Sequence, residues 1–243
     1  GAAAVLVLEE EAKAIWAKHT VVIEVADTRL AFAQIAASLW GPLKQPLKDN
    51  IVGITGTNGK TTTTYLLEAI VKAAEGKAGV IGTVNYRAGD LVLPAPLTTP
   101  SPELLWSTIQ RLEKEDVTHL FMEVSSHALH QHRVDSLPIR VAGFTNLTQD
   151  HLDYHGSLER YLADKTRLFS ELVLPEGKSI LPAGTEATAT IQPLSRAPVW
   201  TYSVDPDISG DIQVTERHIG WDGIQASLST PLGPLQIESP LLG

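Results

Sequence analysis

Apolar and polar positions follow two rhythms along this chain. Short apolar runs occur at AAAVLVLE (2–9), TVVIEVAD (20–27), IVGIT (51–55), AGVIGTVNYRAG (78–89), THLFMEV (118–124) and RVAGFTNL (140–147). Their length predicts short buried strands. Between them, apolar residues recur at three- and four-residue intervals. That spacing predicts a helix over 28–40 and a helix with one buried stripe over 157–172, and helices are also read from the loop before Lys60 to near Gly76 and over 101–117. Ser101 followed by Pro102 and Glu103, and Ser157 before Leu158, read as helix starts. Strand and helix alternating in this way predict an α/β fold, a P-loop-type mostly parallel sheet flanked by helices. The Pro- and Gly-rich stretch GPLKQPLKDN (41–50) places a boundary near residue 48. Residues 1–48 then read as part of a smaller α/β domain, and 49–243 as a larger unit. From about residue 179 the pattern changes to short strands and turns.

One position breaks the helical pattern. In SLERYLADKTRLFSEL (157–172) the stripe runs through Leu158, Tyr161, Leu162, Leu168, Phe169 and Leu172, and Lys165 falls within it. A lysine can lay its methylenes on apolar surface and lift its charge into water, which is the plain reading of such a residue.

Candidate chemistry gathers after three of the strands. GITGTNGKTTT puts Gly56, Thr57, Asn58, Gly59, Lys60, Thr61 and Thr62 between a strand and a helix. Backbone amides and the helix dipole there suit an anion, Lys60 reaches β- and γ-phosphates, and the Thr61 hydroxyl suits Mg²⁺. The strict phosphate-loop pattern wants a glycine five residues before Gly59, where Ile54 stands; the glycine has moved to 56. Glu123 ends an apolar strand, where it either holds Mg²⁺ or simply terminates the strand at the surface. Ser125, Ser126, His127, Gln131, His132 and Arg133 follow it closely, a density of donors that suits a phosphate- or carboxylate-rich ligand. His130 and His132 receive no role. Asp150, His151, Asp153 and His155 form either a metal site or a polar turn.

Composition narrows the classes. The 243 residues are 43% hydrophobic and 19% charged, ordinary for a globular chain. A net charge of -9 without a basic tract argues against an electrostatic nucleic-acid interface. Without cysteine there is no disulfide framework and no thiolate chemistry. No apolar run approaches the roughly 18 residues that cross a bilayer.

Taken in order, GITGTNGKTTT, TTP (98–100), EVSSHALHQHRV (123–134), FTNLTQDHLDYHG (144–156) and YLADKTRLF (161–169) resemble the Mur ligases. The resemblance implies an ATP-dependent ligase of peptidoglycan precursor synthesis, cytoplasmic and monomeric. It would add meso-diaminopimelate or L-lysine to UDP-MurNAc-L-Ala-D-Glu through an acyl phosphate. By position, residues 56–62 would hold ATP; Thr61, Glu123 and His151 would serve Mg²⁺. Thr98, Thr99, Ser125, Gln131 and Arg133 would hold the UDP substrate. Lys165 matches a lysine that is carbamylated by CO₂, giving a carboxylate-like arm toward the metal. Lys60, Lys165 and His151 would form the catalytic set. Family members have three domains. The resemblance implies that 1–48 is part of the N-terminal UDP-substrate domain, that 49–243 is an incomplete ATP-binding domain, and that the C-terminal amino-acid domain lies outside the chain, which alone would be inactive. Two other readings are a non-catalytic Mur-like nucleotide-binding module and a Mur-type ligase acting on a different carboxylate.

Overall fold

The computed structural model describes residues 4–8, 21–150 and 152–241. Strands β1 (Ala4–Leu8) and β2 (Val21–Val25) pair in parallel as a separate two-stranded sheet. The expected burial of β2 is not met, since Ile23 is 43% exposed. Helix α1 (Thr28–Trp40) fills the predicted run, and Asp27 caps it by accepting from the amides of Arg29 and Leu30, both at 2.8 Å.

The main sheet has eleven strands in the order β13-β12-β11-β10-β9-β8-β3-β7-β4-β5-β6. Its centre is β3 (Ile51–Thr55), flanked by β7 (His119–Glu123) and β8 (Ile139–Phe144), with β4 (Ala78–Ile81) beyond β7. All four run parallel, as their continuous apolar content requires of strands covered on both faces. On the far side, β9 (Val173–Pro182), β10 (Val199–Ser203) and β11 (Ile212–Gly220) continue in parallel. The antiparallel strands β12 (Gly223–Ser229) and β13 (Leu235–Ser239) end the sheet there, and β5 (Tyr86–Ala88) and β6 (Leu91–Leu93) end it at the other edge.

Helices cover both faces. On one, α3 (Pro102–Glu113) buries Leu105, Ile109 and Leu112, each 0% exposed, among Ile51, Leu120 and Met122. Burial of each such side chain contributes about 1.5–3 kcal/mol. On the other, α2 (Lys60–Ala73) lays Leu67 and Val71 against Val52, Val80 and Phe121. Shorter helices α4 (Ser126–His130), α5 (Leu152–His155), α6 (Leu158–Arg167) and α7 (Glu186–Ile191) follow strands or strand-end loops. Among the described residues, no helix is long and apolar enough to cross a membrane.

Local details depart from the sequence reading for identifiable reasons. The run 78–89 is two strands, because the chain reverses between Ile81 and Tyr86 to pair β5 against β4. Ser101 occupies the cap position of α3, but its hydroxyl donates to Glu103 Oε1 at 2.6 Å instead of capping. The helix starting after Ser157 is α-helical only to Arg167; a wider π turn (Leu168–Leu172) follows, which leaves Leu168 and Phe169 fully buried. The segment after residue 179 extends the same sheet, and it includes α7, whose N-cap Thr185 accepts from the Thr188 amide at 3.1 Å.

Candidate active site

Parallel alignment of β4, β3, β7 and β8 brings their carboxyl ends to one edge, where open α/β sheets bind ligands. The phosphate loop leaves β3 there. Gly56 takes φ +136°, and a Cβ on it would lie 2.0 Å from Thr145 Oγ1, so only glycine fits at this crossing. This close approach explains why the glycine stands at 56. The loop is held by the segment after β8: Asn146 O accepts from the Thr57 amide at 2.9 Å, and Asn146 Oδ1 accepts from the Asn58 amide at 3.0 Å. Thr145 Oγ1 donates to Asn58 O at 2.6 Å. Gly59, at φ +86°, starts α2, and Thr62 lies exposed in its first turn. The Lys60 ammonium lies over its own loop, donating to Gly56 O at 2.9 Å and Thr57 O at 2.8 Å.

Glu123 is 1% exposed, which rules out the reading of an acid that merely ends a strand at the surface. Its carboxyl group accepts from Thr61 Oγ1 at 2.9 Å, from the Thr83 amide at 3.0 Å and from Thr83 Oγ1 at 2.9 Å. The neighbouring Gly82 leaves room for it, since a Cβ there would sit 2.2 Å from Glu123 Oε1. Gly82 and Thr83 were not singled out from the sequence. The only available signal was their place just after the β4 run, facing the strand that ends in Glu123. Together the Thr61 hydroxyl and the Glu123 carboxyl form a pair of hard oxygen donors beside a phosphate loop, which fits Mg²⁺.

Thr83 Oγ1 also meets Thr98 Oγ1 at 3.1 Å, linking this centre to the next group. Thr99 Oγ1 donates to Glu123 O at 2.8 Å and to Ser125 Oγ at 3.3 Å. Arg133 donates to Thr99 O at 2.8 Å and, from two nitrogens, to Gln131 Oε1 at 2.6 and 3.0 Å. Gln131 Nε2 donates to the Tyr154 hydroxyl at 3.0 Å. Thr98, Thr99, Ser125, Gln131 and Arg133 therefore form one connected patch beside Glu123. Burial lowers the Arg133 pKa, with Tyr154 and Tyr86 opposing that change.

Lys165 does not snorkel. It is 1% exposed, its ammonium donates to Gly56 O at 3.0 Å, and its Nζ lies 4.2 Å from the centroid of the Tyr161 ring. Burial and the nearby Lys60 charge push its pKa down to about 7, against pulls from Asp150 and Asp164. Burial also lowers Lys60, opposed by Glu123 and Asp150.

His151 lies outside the described residues, and among those described no group of three or more His, Cys, Asp or Glu could hold a metal. Asp150 and Asp153 are exposed, whereas His155 turns inward to Ser126 and Asp164.

A family model described as the Mur ligase middle domain matches residues 54–243. The chain is 45% identical over 100% of its length to the "UDP-N-acetylmuramoyl-L-alanyl-D-glutamate--2,6-diaminopimelate ligase" of Geobacter sulfurreducens, covering 47% of that protein. It is 42% identical over 91% of its length to the protein of the same name from Geobacter metallireducens, covering 43%. A solved structure of a ligase with that name superposes with a TM-score of 0.79 at 25% identity, over 99% of this chain and 53% of the other. The chain thus spans about half the length of the curated relatives it matches.

Proposed function

The chain belongs to the Mur ligase family, and from that premise we propose that it is the nucleotide-binding part of an ATP-dependent ligase joining diaminopimelate to UDP-MurNAc-L-Ala-D-Glu. The amino acid follows the names of the relatives, which narrows the pair inferred from sequence. One observation carries the reading: the buried Lys165 reaches the same loop carbonyl as Lys60, so an otherwise inexplicable cation stands inside the phosphate site.

The chemistry has two steps. An oxygen of the D-Glu carboxylate attacks the γ-phosphorus of ATP, and ADP leaves, giving an acyl phosphate. The amine of diaminopimelate then attacks the acyl carbon, and phosphate leaves. The protein's task is to position charged partners and to stabilise charge. Residues 56–62 would cradle the phosphates, with Lys60 swinging from its loop carbonyls to the β- and γ-oxygens. Thr98, Thr99, Ser125, Gln131 and Arg133 would hold the UDP substrate beside them. Thr61 and Glu123 would hold Mg²⁺, and the metal would neutralise phosphate charge. His151 would serve a second ion. A pKa of about 7 leaves much of Lys165 as neutral amine at neutral pH, the form that attacks the carbon of CO₂. The product carbamate, after losing a proton to solvent, would give Lys165 a negative end directed at the metal centre.

The test is phosphate release by the full-length protein given ATP, UDP-MurNAc-L-Ala-D-Glu and either meso-diaminopimelate or L-lysine. Release that requires the UDP substrate and diaminopimelate supports the reading. ATP binding without release in any combination would point to a non-catalytic nucleotide-binding module.

A further inference from the structure

Behind the phosphate loop lies a polar set that the ligase reading does not use. Ser126 Oγ is 2.9 Å from His155 Nε2, and His155 Nδ1 is 2.8 Å from Asp164 Oδ2. The second Asp164 oxygen meets His130 Nδ1 at 3.2 Å. Ser126 is 2% exposed and His155 5%. The His155 ring packs 5.0 Å from that of Tyr161, on which Lys165 rests.

The polarity of this set follows from its surroundings. A carboxylate beside Nδ1 accepts, so the imidazole proton sits there. Burial holds the ring below its ordinary pKa despite the pull of Asp164, which favours the neutral form. Nε2 is then the acceptor for the Ser126 hydroxyl. Serine, imidazole and carboxylate in this order activate a nucleophile in hydrolases. A hydroxyl buried to this degree has no access to a substrate carbonyl, so that use is closed.

Connectivity indicates another use. Ser126 follows Ser125 and opens α4, whereas Asp164 directly precedes Lys165 on α6. The three side chains thus join the loop after β7 to the helix that carries Lys165. A second tie, from Arg167 to Leu129 O, joins the same two helices one turn further on. We propose that Ser126, His155 and Asp164 form a positioning relay that holds Lys165 in register with Glu123 and Ser125. This proposal rests on the reading that Lys165 serves ligation. A charged arm that must meet a fixed point tolerates little movement of its helix, and supporting side chains supply that restraint.

The test uses Ser126→Ala and His155→Gln in the full-length ligase. Loss of the relay should lower kcat about tenfold or more, as loss of outer-sphere partners does, and leave the KM for ATP within about twofold. The bicarbonate concentration that half-restores activity in CO₂-depleted buffer should rise in both variants. Unchanged kcat and bicarbonate dependence would overturn the relay, as would a parallel loss of ATP affinity, which is the mark of a general structural role. Imidazole ¹⁵N spectra of the unaltered protein give a check that needs no variant. A neutral His155 ring protonated at Nδ1 is expected, and a proton on Nε2 would overturn the assignment. Labelling of Ser126 by a fluorophosphonate would overturn it in favour of a nucleophile. Absence of ligation and of bicarbonate dependence in the unaltered protein would count against the ligase reading, while the spectra would still test the relay.

Discussion

The ammonium groups of Lys60 and Lys165 converge on a single acceptor, the carbonyl oxygen of Gly56, at 2.9 and 3.0 Å. Two cations sharing one buried oxygen repel each other, and the more deeply buried of the two gives up its proton more readily. Burial first, and the Lys60 charge second, bring Lys165 down to about 7, and burial lowers Lys60 as well.

A stability profile against pH follows from this. Between about 7 and 10.5 the unfolded chain keeps a proton on Lys165 that the folded chain has released, so stability rises with pH across that window. Below it, both states are protonated and the burial penalty is constant and full. Lys165→Met should therefore raise the melting temperature most below pH 7, and the gain should shrink toward pH 10. Melting curves in CO₂-free buffer measure this; a gain independent of pH would contradict the assigned pKa.

Lys165→Ala in the full-length protein should abolish ligation and spare ATP binding. Calorimetric titration with ATP alongside a phosphate-release assay separates the two, and retained ligation would remove Lys165 from the mechanism.

Thr83→Val keeps the side-chain shape but removes the hydroxyl that reaches both Glu123 Oε2 and Thr98 Oγ1. The Mg²⁺ concentration giving half-maximal activity should rise on the order of tenfold. Gly82→Ala should do more damage, because its Cβ would fall 2.2 Å from Glu123 Oε1 and force the carboxyl group aside. Equal Mg²⁺ dependence in all three proteins would show that the Glu123 socket is not a metal site.

Arg133→Ala should raise the KM for the UDP substrate far more than that for ATP. Arg133 also holds Thr99 O and Gln131, so the loss combines a missing guanidinium with a loosened patch. Equal effects on both KM values would assign Arg133 to structure alone.

Much of this was legible in the sequence. Continuous apolar runs located β3, β7 and β8, whose residues are covered on both faces, and helical signals located α1, α2 and α3. The phosphate loop, Glu123 and the odd position of Lys165 were visible because each breaks or ends an apolar pattern. Thr83 and the Ser126–His155–Asp164 relay were not, because their meaning depends on β4 lying beside β7 and on α6 packing against α4. Nothing local distinguishes His155 from its neighbours in DHLDYH, yet it turns into the interior while Asp150, Asp153 and Tyr154 are exposed. Helix α7 was missed because its six residues carry too short a periodic signal.

The central position of β3 has a consequence for how the protein is made. Its partners are β7, which opens with His119 and pairs Ile51 with Leu120, and β8, which pairs Val52 with Val141. A nascent chain cannot complete the middle of the sheet until those strands leave the ribosome. The phosphate loop waits longer still, because Thr57 and Asn58 rest on Asn146 and Thr148. On the proposed reading, the loop would become competent for nucleotide only then, and a nascent chain ending before Thr148 should bind no ATP.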